Sequence, residues 1–188
     1  MRSICVSRHK FATAVRHSGD PLDSTARPPE SGDVSERIQQ RVEIDGGVAV
    51  GVDGSASSLR ALELAAEETR RRGTTLHVVR AWSMRTVPRP PDCPPGATPT
   101  IDEYETSVTD TLRHVVETAI GTEPGFPVEY HVAHSPSPQA LLSASRGAHV
   151  LVVGHRGRGG FSGLMLGSVA EQCVRHAACP ILVVRPSY

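Results

Sequence analysis

Residues 150–185 read VLVVGHRGRGGFSGLMLGSVAEQCVRHAACPILVVR, and their pattern decides the fold. Val150 to Val153 is a short apolar run closed by Gly154, the signature of a strand buried on both faces. Thirteen residues follow, Gly154 to Leu166, with five glycines, two arginines and no acid. Ser168 to Ala177 then reads as a helix and Ile181 to Val184 as a second buried strand. In a strand–loop–helix–strand unit of this kind the loop lies at the carboxyl end of the first strand and presents backbone N–H groups beside a helix N-terminus. Anions bind in such places.

The glycine spacing narrows the anion. Gly154, Gly157, Gly167 and Ser168 form G-x2-G-x9-G-S, which lacks the tight early pair of a G-x-G-x-x-G dinucleotide loop and the lysine of a Walker loop. The chain's one lysine is Lys10. Phosphate charge therefore falls to Arg156, Arg158, backbone amides and the helix dipole. This motif, with its preceding strand and with Pro180 to Val184 after it, resembles the ATP-binding subclass of the universal stress protein family. A second segment carries the same likeness: Val50-Gly51-Val52-Asp53-Gly54-Ser55, followed by Ser58-Leu59-Arg60-Ala61-Leu62, is similar to that family's first motif.

Working outward, Gly47 to Asp53 is an apolar strand ending in a carboxylate, where ligands bind in open α/β sheets. Ser55 reads as the cap of the next helix, which runs to Arg72 with Leu59, Leu62, Ala65, Ala66 and Thr69 on one face. Arg70 to Arg72 and Gly73 are stop signals, so this arginine run is a solvated helix end rather than a nucleic-acid patch. Thr75 to Trp82 is a second strand. Ser83 to Asp102 holds six prolines and is a long connection, of the kind that serves as a lid or stays disordered. Glu103 to Ile120 is an amphipathic helix. Phe126 to Ala133 alternates apolar and polar residues, as a half-exposed edge strand does. Ser137 as cap, Pro138 at the first helical position and Gly147 beyond the end bracket a short helix. His131 and His134 form a conceivable metal pair without a third ligand, and solvated histidines are the plainer reading.

Five strands alternate strictly with four helices from Gly47 onward, which implies a parallel doubly wound α/β sheet with helices on both faces. The resemblance adds a Rossmann-like strand order 3-2-1-4-5. It places a crevice between the strands ending at Asp53 and Gly154. It further implies ATP, with Mg2+, as the ligand. Asp53 then contacts the adenosine part, Gly51 lets the backbone approach the base, and Ala81 borders the adenine, with Trp82 either beside it or in the core. The triphosphate lies by Gly154, Arg156 and Gly157 and by the turn at Gly167, Ser168 and Val169. Ser168 has a rival role, since Ser168-x-x-Glu171 has the form of a capping box. Arg156 is assigned from charge alone, because the family motif leaves its position variable. The family also pairs its last strand, here Pro180 to Arg185, with the copy in a second chain, which implies a homodimer.

Lys plus Arg number 20, as do Asp plus Glu. Nothing in the net charge calls for nucleic acid or an anionic membrane, and no apolar run is long enough to span a bilayer. Cys5, Cys93, Cys173 and Cys179 contain no C-x-x-C. A reducing cytoplasm fits them, with a Cys173–Cys179 bridge open on spacing alone. Residues 1–45 lack a sustained period and are expected to be a disordered extension. Residues 46–188 are expected to form one nucleotide-binding domain. Three functions remain open: a nucleotide-dependent stress-response regulator, a slow ATPase or nucleotide-using enzyme on the same fold, and a dimeric interaction module that binds no nucleotide. No catalytic residue is assigned, and the regulator is preferred because no second carboxylate is aimed at the phosphates.

Overall fold

The computed structural model describes residues 41–158 and 166–185. Most of the expected N-terminal extension (residues 1–40), the middle of the glycine-rich loop (159–165) and the last three residues lie outside them. Within this range the elements are β1 (Val48–Gly51), α1 (Ala56–Arg72), β2 (Leu76–Trp82), α2 (Ile101–Ile120), β3 (Val128–His134), α3 (Ser137–Ala144), β4 (Val150–Gly154), α4 (Ser168–His176) and β5 (Ile181–Val184). All strands are parallel, in the order β3-β2-β1-β4-β5. The order expected from the sequence is the one observed.

Strand alternation divides the core in two. Val48, Val50, Leu76, Val78, Val150 and Val152 face α1 and α2, meeting Ala61, Leu62 and Ala65 of the first and Val108, Leu112 and Val116 of the second. Ala49, Val79, Ala133, Leu151 and Val153 face α3 and α4, against Ala140, Leu141, Ala144, Ala170 and Cys173. Right-handed crossovers force this division. The chain steps from β1 outward to β3, then returns past β1 to β4, and reversing direction moves the crossover helices to the other face. The carboxyl ends of β1 and β4 consequently splay apart, and a crevice opens between them.

Several local readings change. Helix α2 starts earlier than Glu103. Thr100 is its N-cap, donating its backbone N–H to Glu103 Oε2 at 2.7 Å and accepting the Glu103 N–H on its hydroxyl at 3.2 Å. The capping box in this chain is thus at Thr100. At α4 the cap is Gly167, which makes no side-chain bond, and Ser168 is already helical. The capping role considered for Ser168 therefore falls away. Pro136 caps α3, one residue before Ser137.

Trp82 is core. It is 2% exposed, stacks on Tyr104 at 5.9 Å and meets the tilted ring of His134 at 4.6 Å between centroids. His131 is buried rather than solvated. Cys173 and Cys179 are free thiols, so the bridge does not form, and burial pushes the Cys173 thiol up to about 11. Val42, which lies on the extension side of the boundary read from sequence, is fully buried and donates its N–H to Ser143 Oγ at 2.9 Å.

Replacing Thr100 by Ala removes the side-chain half of the α2 box and is expected to lower stability by about 1 kcal/mol in urea unfolding. A loss of less than about 0.5 kcal/mol would show that the box contributes little here.

Candidate functional site

The carboxyl ends of β1 and β4, the start of α4 and the inner face of α3 enclose a cavity of about 630 Å3, within the usual range for small-molecule sites. Every site residue expected from the sequence lines it: Gly51 and Asp53 from β1 and its end, Ala81 from β2, Gly154, Arg156 and Gly157 from the loop after β4, and Gly167, Ser168 and Val169 at the start of α4. Segments about a hundred residues apart are brought together by the parallel pairing of β1 with β4, Val48 opposite Val150 and Val50 opposite Val152.

Asp53 joins the two halves. Its Oδ1 accepts the Ser55 N–H at 2.9 Å, shaping the turn into α1, and its Oδ2 accepts the Arg158 N–H at 3.1 Å from across the crevice. Burial by itself would raise the carboxyl's pKa. The hydrogen bonds from Ser55, Ser58 and the Arg158 backbone outweigh it, and the net value is lowered. Ser58 Oγ adds bonds from the Asp53 and Gly54 N–H groups at 3.3 and 3.1 Å.

The two leading glycines have distinct steric causes. A Cβ on Gly154 would stand 2.7 Å from Ser57 Cβ and 2.8 Å from the Ser57 carbonyl carbon, so this residue lets the first turn of α1 rest on the end of β4. A Cβ on Gly157 would stand 2.6 Å from Asp53 Oδ2, so this one lets the loop lie against the carboxylate. The loop is tied further by Ser57 Oγ to His155 Nδ1 at 3.1 Å, by the His155 N–H to the Val184 carbonyl at 2.8 Å, and by the Gly167 N–H to the His155 carbonyl at 2.7 Å. Gly167 brings no side chain to cap α4. Ser168, Val169 and Ala170, its first turn, border the cavity with the positive end of the helix dipole.

Sequence reasoning missed Arg80, Thr86, Ser137 and Leu141, which also line the cavity. Arg80 donates from Nη1 to the Val52 carbonyl at 3.2 Å. Burial and the nearby Arg158 lower its pKa while Asp53 raises it, and a guanidinium stays charged regardless. The signal was present: Arg80 is the one charge in the otherwise apolar or aromatic run LHVVRAW. Thr86 opens the proline-rich connection, and Val87 and Pro88 line a second cavity of about 200 Å3 that shares Asp53, Arg80 and Arg158 with the first. The start of that connection thus borders the site. The resulting surface is mostly apolar, with arginines 80, 156 and 158 gathered around one carboxylate. It suits a ligand with an anionic end and a hydrogen-bonding end.

Asp53→Ala removes two charge-assisted bonds and should cost about 1–3 kcal/mol at pH 7. The carboxyl has a folded pKa below its unfolded 3.8, so its stabilisation is complete above that value and is lost as pH falls through the folded value. The stability gap between wild type and variant should be flat above about pH 5 and close on further acidification. A gap that persists unchanged to strong acid would contradict this account.

Residues 47–185 match the sequence profile of the universal stress protein family. The chain is 35% identical over 143 residues to a universal stress protein of Mycolicibacterium smegmatis, covering 74% of this chain and 45% of the relative. It spans about half the length of the curated relatives it matches. Among solved structures, it is similar to a universal stress protein in complex with cAMP (26% identity, TM-score 0.54, 76% of this chain and 98% of the other). It is also similar to the universal stress protein of Archaeoglobus fulgidus in complex with dAMP (26% identity, TM-score 0.51, 76% and 99%). Sheet order, motif positions and these likenesses agree, and the chain belongs to the universal stress protein family.

Proposed function

We propose that the chain is an ATP-binding universal stress protein whose nucleotide occupancy serves as a regulatory signal in a stress response, in the cytoplasm. The observation that carries the reading is the convergence of Asp53 and the glycine-rich loop on one cavity of nucleotide size. Two neighbours of similar fold hold adenine nucleotides, which supports the adenine end of the assignment. The chain's own fit supports the phosphate end: arginines at 80, 156 and 158, and an α4 terminus capped only by glycine. In this reading residues 46–188 are the nucleotide-binding domain. Gly51, Asp53 and Ala81 hold the nucleoside, and the loop from Gly154 to Gly157 with Gly167, Ser168 and Val169 holds the phosphates. Mg2+ accompanies ATP and neutralises phosphate charge.

A binding role is favoured over turnover because, among the described residues, Asp53 is the only carboxylate lining the cavity, whereas phosphoryl transfer relies on metal-holding carboxylates and a positioned nucleophile. We further propose a homodimer through β5. It is an edge strand, and its Ile181, Leu182 and Val183 are only partly buried. The carbonyls of Pro180 and Val184 accept from the N–H groups of Leu151 in β4 and of His155 just after it. By strand alternation Ile181 and Val183 turn their N–H groups to the open edge.

Heat-denaturing the freshly purified full chain should release an adenine nucleotide, with ATP predominant, and Gly157→Val, whose side chain displaces the loop from Asp53, should release little and melt somewhat lower while still folding. Wild-type protein that carries none and gives no heat on titration with Mg-ATP overturns the assignment. Steady release of phosphate from Mg-ATP that Asp53→Ala abolishes would favour the ATPase reading.

Light scattering should give a dimer for the wild type and a monomer for Val183→Pro, which removes only an outward N–H. A wild-type monomer at tens of micromolar, a concentration typical for specific pairing, would refute the β5 interface.

A further inference from the structure

A second cluster of ligating side chains lies toward the amino-terminal ends of β2 and β3, away from the cavity, and the nucleotide reading has no part in it. Parallel register sets His77 opposite Glu129 and Val79 opposite His131, so the three polar side chains share the sheet face that carries Val79 and Ala133. His77 Nδ1 and His131 Nε2 are 3.1 Å apart, Glu129 Oε2 is 3.4 Å from the first and 3.9 Å from the second. His77 is 3% exposed and His131 9%, while the Glu129 side chain is 58% exposed and opens the cluster to solvent at the sheet edge.

The chain does not satisfy this triangle well by itself. One N–H can lie between the two facing nitrogens. The carboxylate and the second nitrogen then direct lone pairs into the same small space. On its far side His77 Nε2 is buried without a hydrogen-bond partner. The ring is held there by Gly47, whose φ is +74° and where a Cβ would stand 2.7 Å from His77 Nε2. The acceptors that converge between His77 Nδ1, His131 Nε2 and Glu129 Oε2 are what a cation would relieve, while the far-side His77 Nε2 stays as it is.

We propose that His77 Nδ1, His131 Nε2 and Glu129 Oε2 form a three-ligand site for a zinc-class divalent cation. Ligands at zinc–nitrogen and zinc–oxygen distances around a tetrahedral ion lie about 3.3 Å from one another, and the observed separations bracket that value. Two imidazoles and one carboxylate are a recognised zinc donor set, and imidazole nitrogen disfavours Mg2+ and Ca2+. The fourth position faces the exposed edge beside Glu129 and takes water or a donor from outside. The ion joins β2 to the edge strand β3 through side chains, in addition to the ladder bonds.

The test is calorimetric titration of Zn2+ alone into the metal-stripped, tag-free full chain, together with Co2+ absorption spectra. The expected result is one ion per chain, visible ligand-field bands of tetrahedral Co2+ and no near-ultraviolet sulfur charge-transfer band. Glu129→Gln, an exposed change that leaves the core intact, should weaken Zn2+ binding about tenfold or more, and His131→Gln should abolish it. Absence of saturable binding, a thiolate band, or unchanged affinity in Glu129→Gln would each overturn the site.

Discussion

The hydrogen bond from the Arg158 N–H to Asp53 Oδ2 spans 105 residues of sequence and closes the switch point of the sheet. Much else depends on it. The carboxylate sits where it does because β1 ends beside β4, and its other oxygen fixes the turn that launches α1. Gly157 must lack a side chain for the loop to reach the carboxylate, and Gly154 must lack one for α1 to approach β4. The glycines of the motif are therefore packing residues in their own right. A ligand would meet, at Asp53, Gly154 and Gly157, contacts that the chain already makes.

The sheet was legible from sequence because its strands are short, apolar and strictly alternate with amphipathic helices. Parallel topology and right-handed crossovers leave few arrangements of such a list. Local capping was less legible. Ser168-x-x-Glu171 and Thr100-x-x-Glu103 have the same form, and only the second is a capping box. What separates them is where the preceding loop leaves the helix. At α4 the backbone of Gly167 is drawn to His155, and helical geometry begins at Ser168. A tertiary bond decided the cap, and a four-residue pattern does not contain it.

The site was legible where a motif marked a strand end and illegible where residues meet only through register. His77 meets His131 because β2 and β3 pair with Val79 opposite His131. Reading His131 with His134 was a search along one strand. These two lie three apart and so face opposite sides of the sheet, and the real neighbour of His131 is on the adjacent strand. Pairing register, which single-strand patterns do not encode, separates the two outcomes.

Trp82 is the chain's single tryptophan, sealed between Tyr104 of α2 and His134 of β3 and absent from the lining of the cavity, although Ala81 beside it is exposed there. Adjacent strand positions point to opposite faces, so one residue of β2 looks into the site and the next into the opposite core. The intrinsic fluorescence of this protein is consequently a gauge of how α2 sits on the sheet. A ligand that merely fills the cavity leaves the emission unchanged, and one that shifts its colour has moved the helix behind the proline-rich connection.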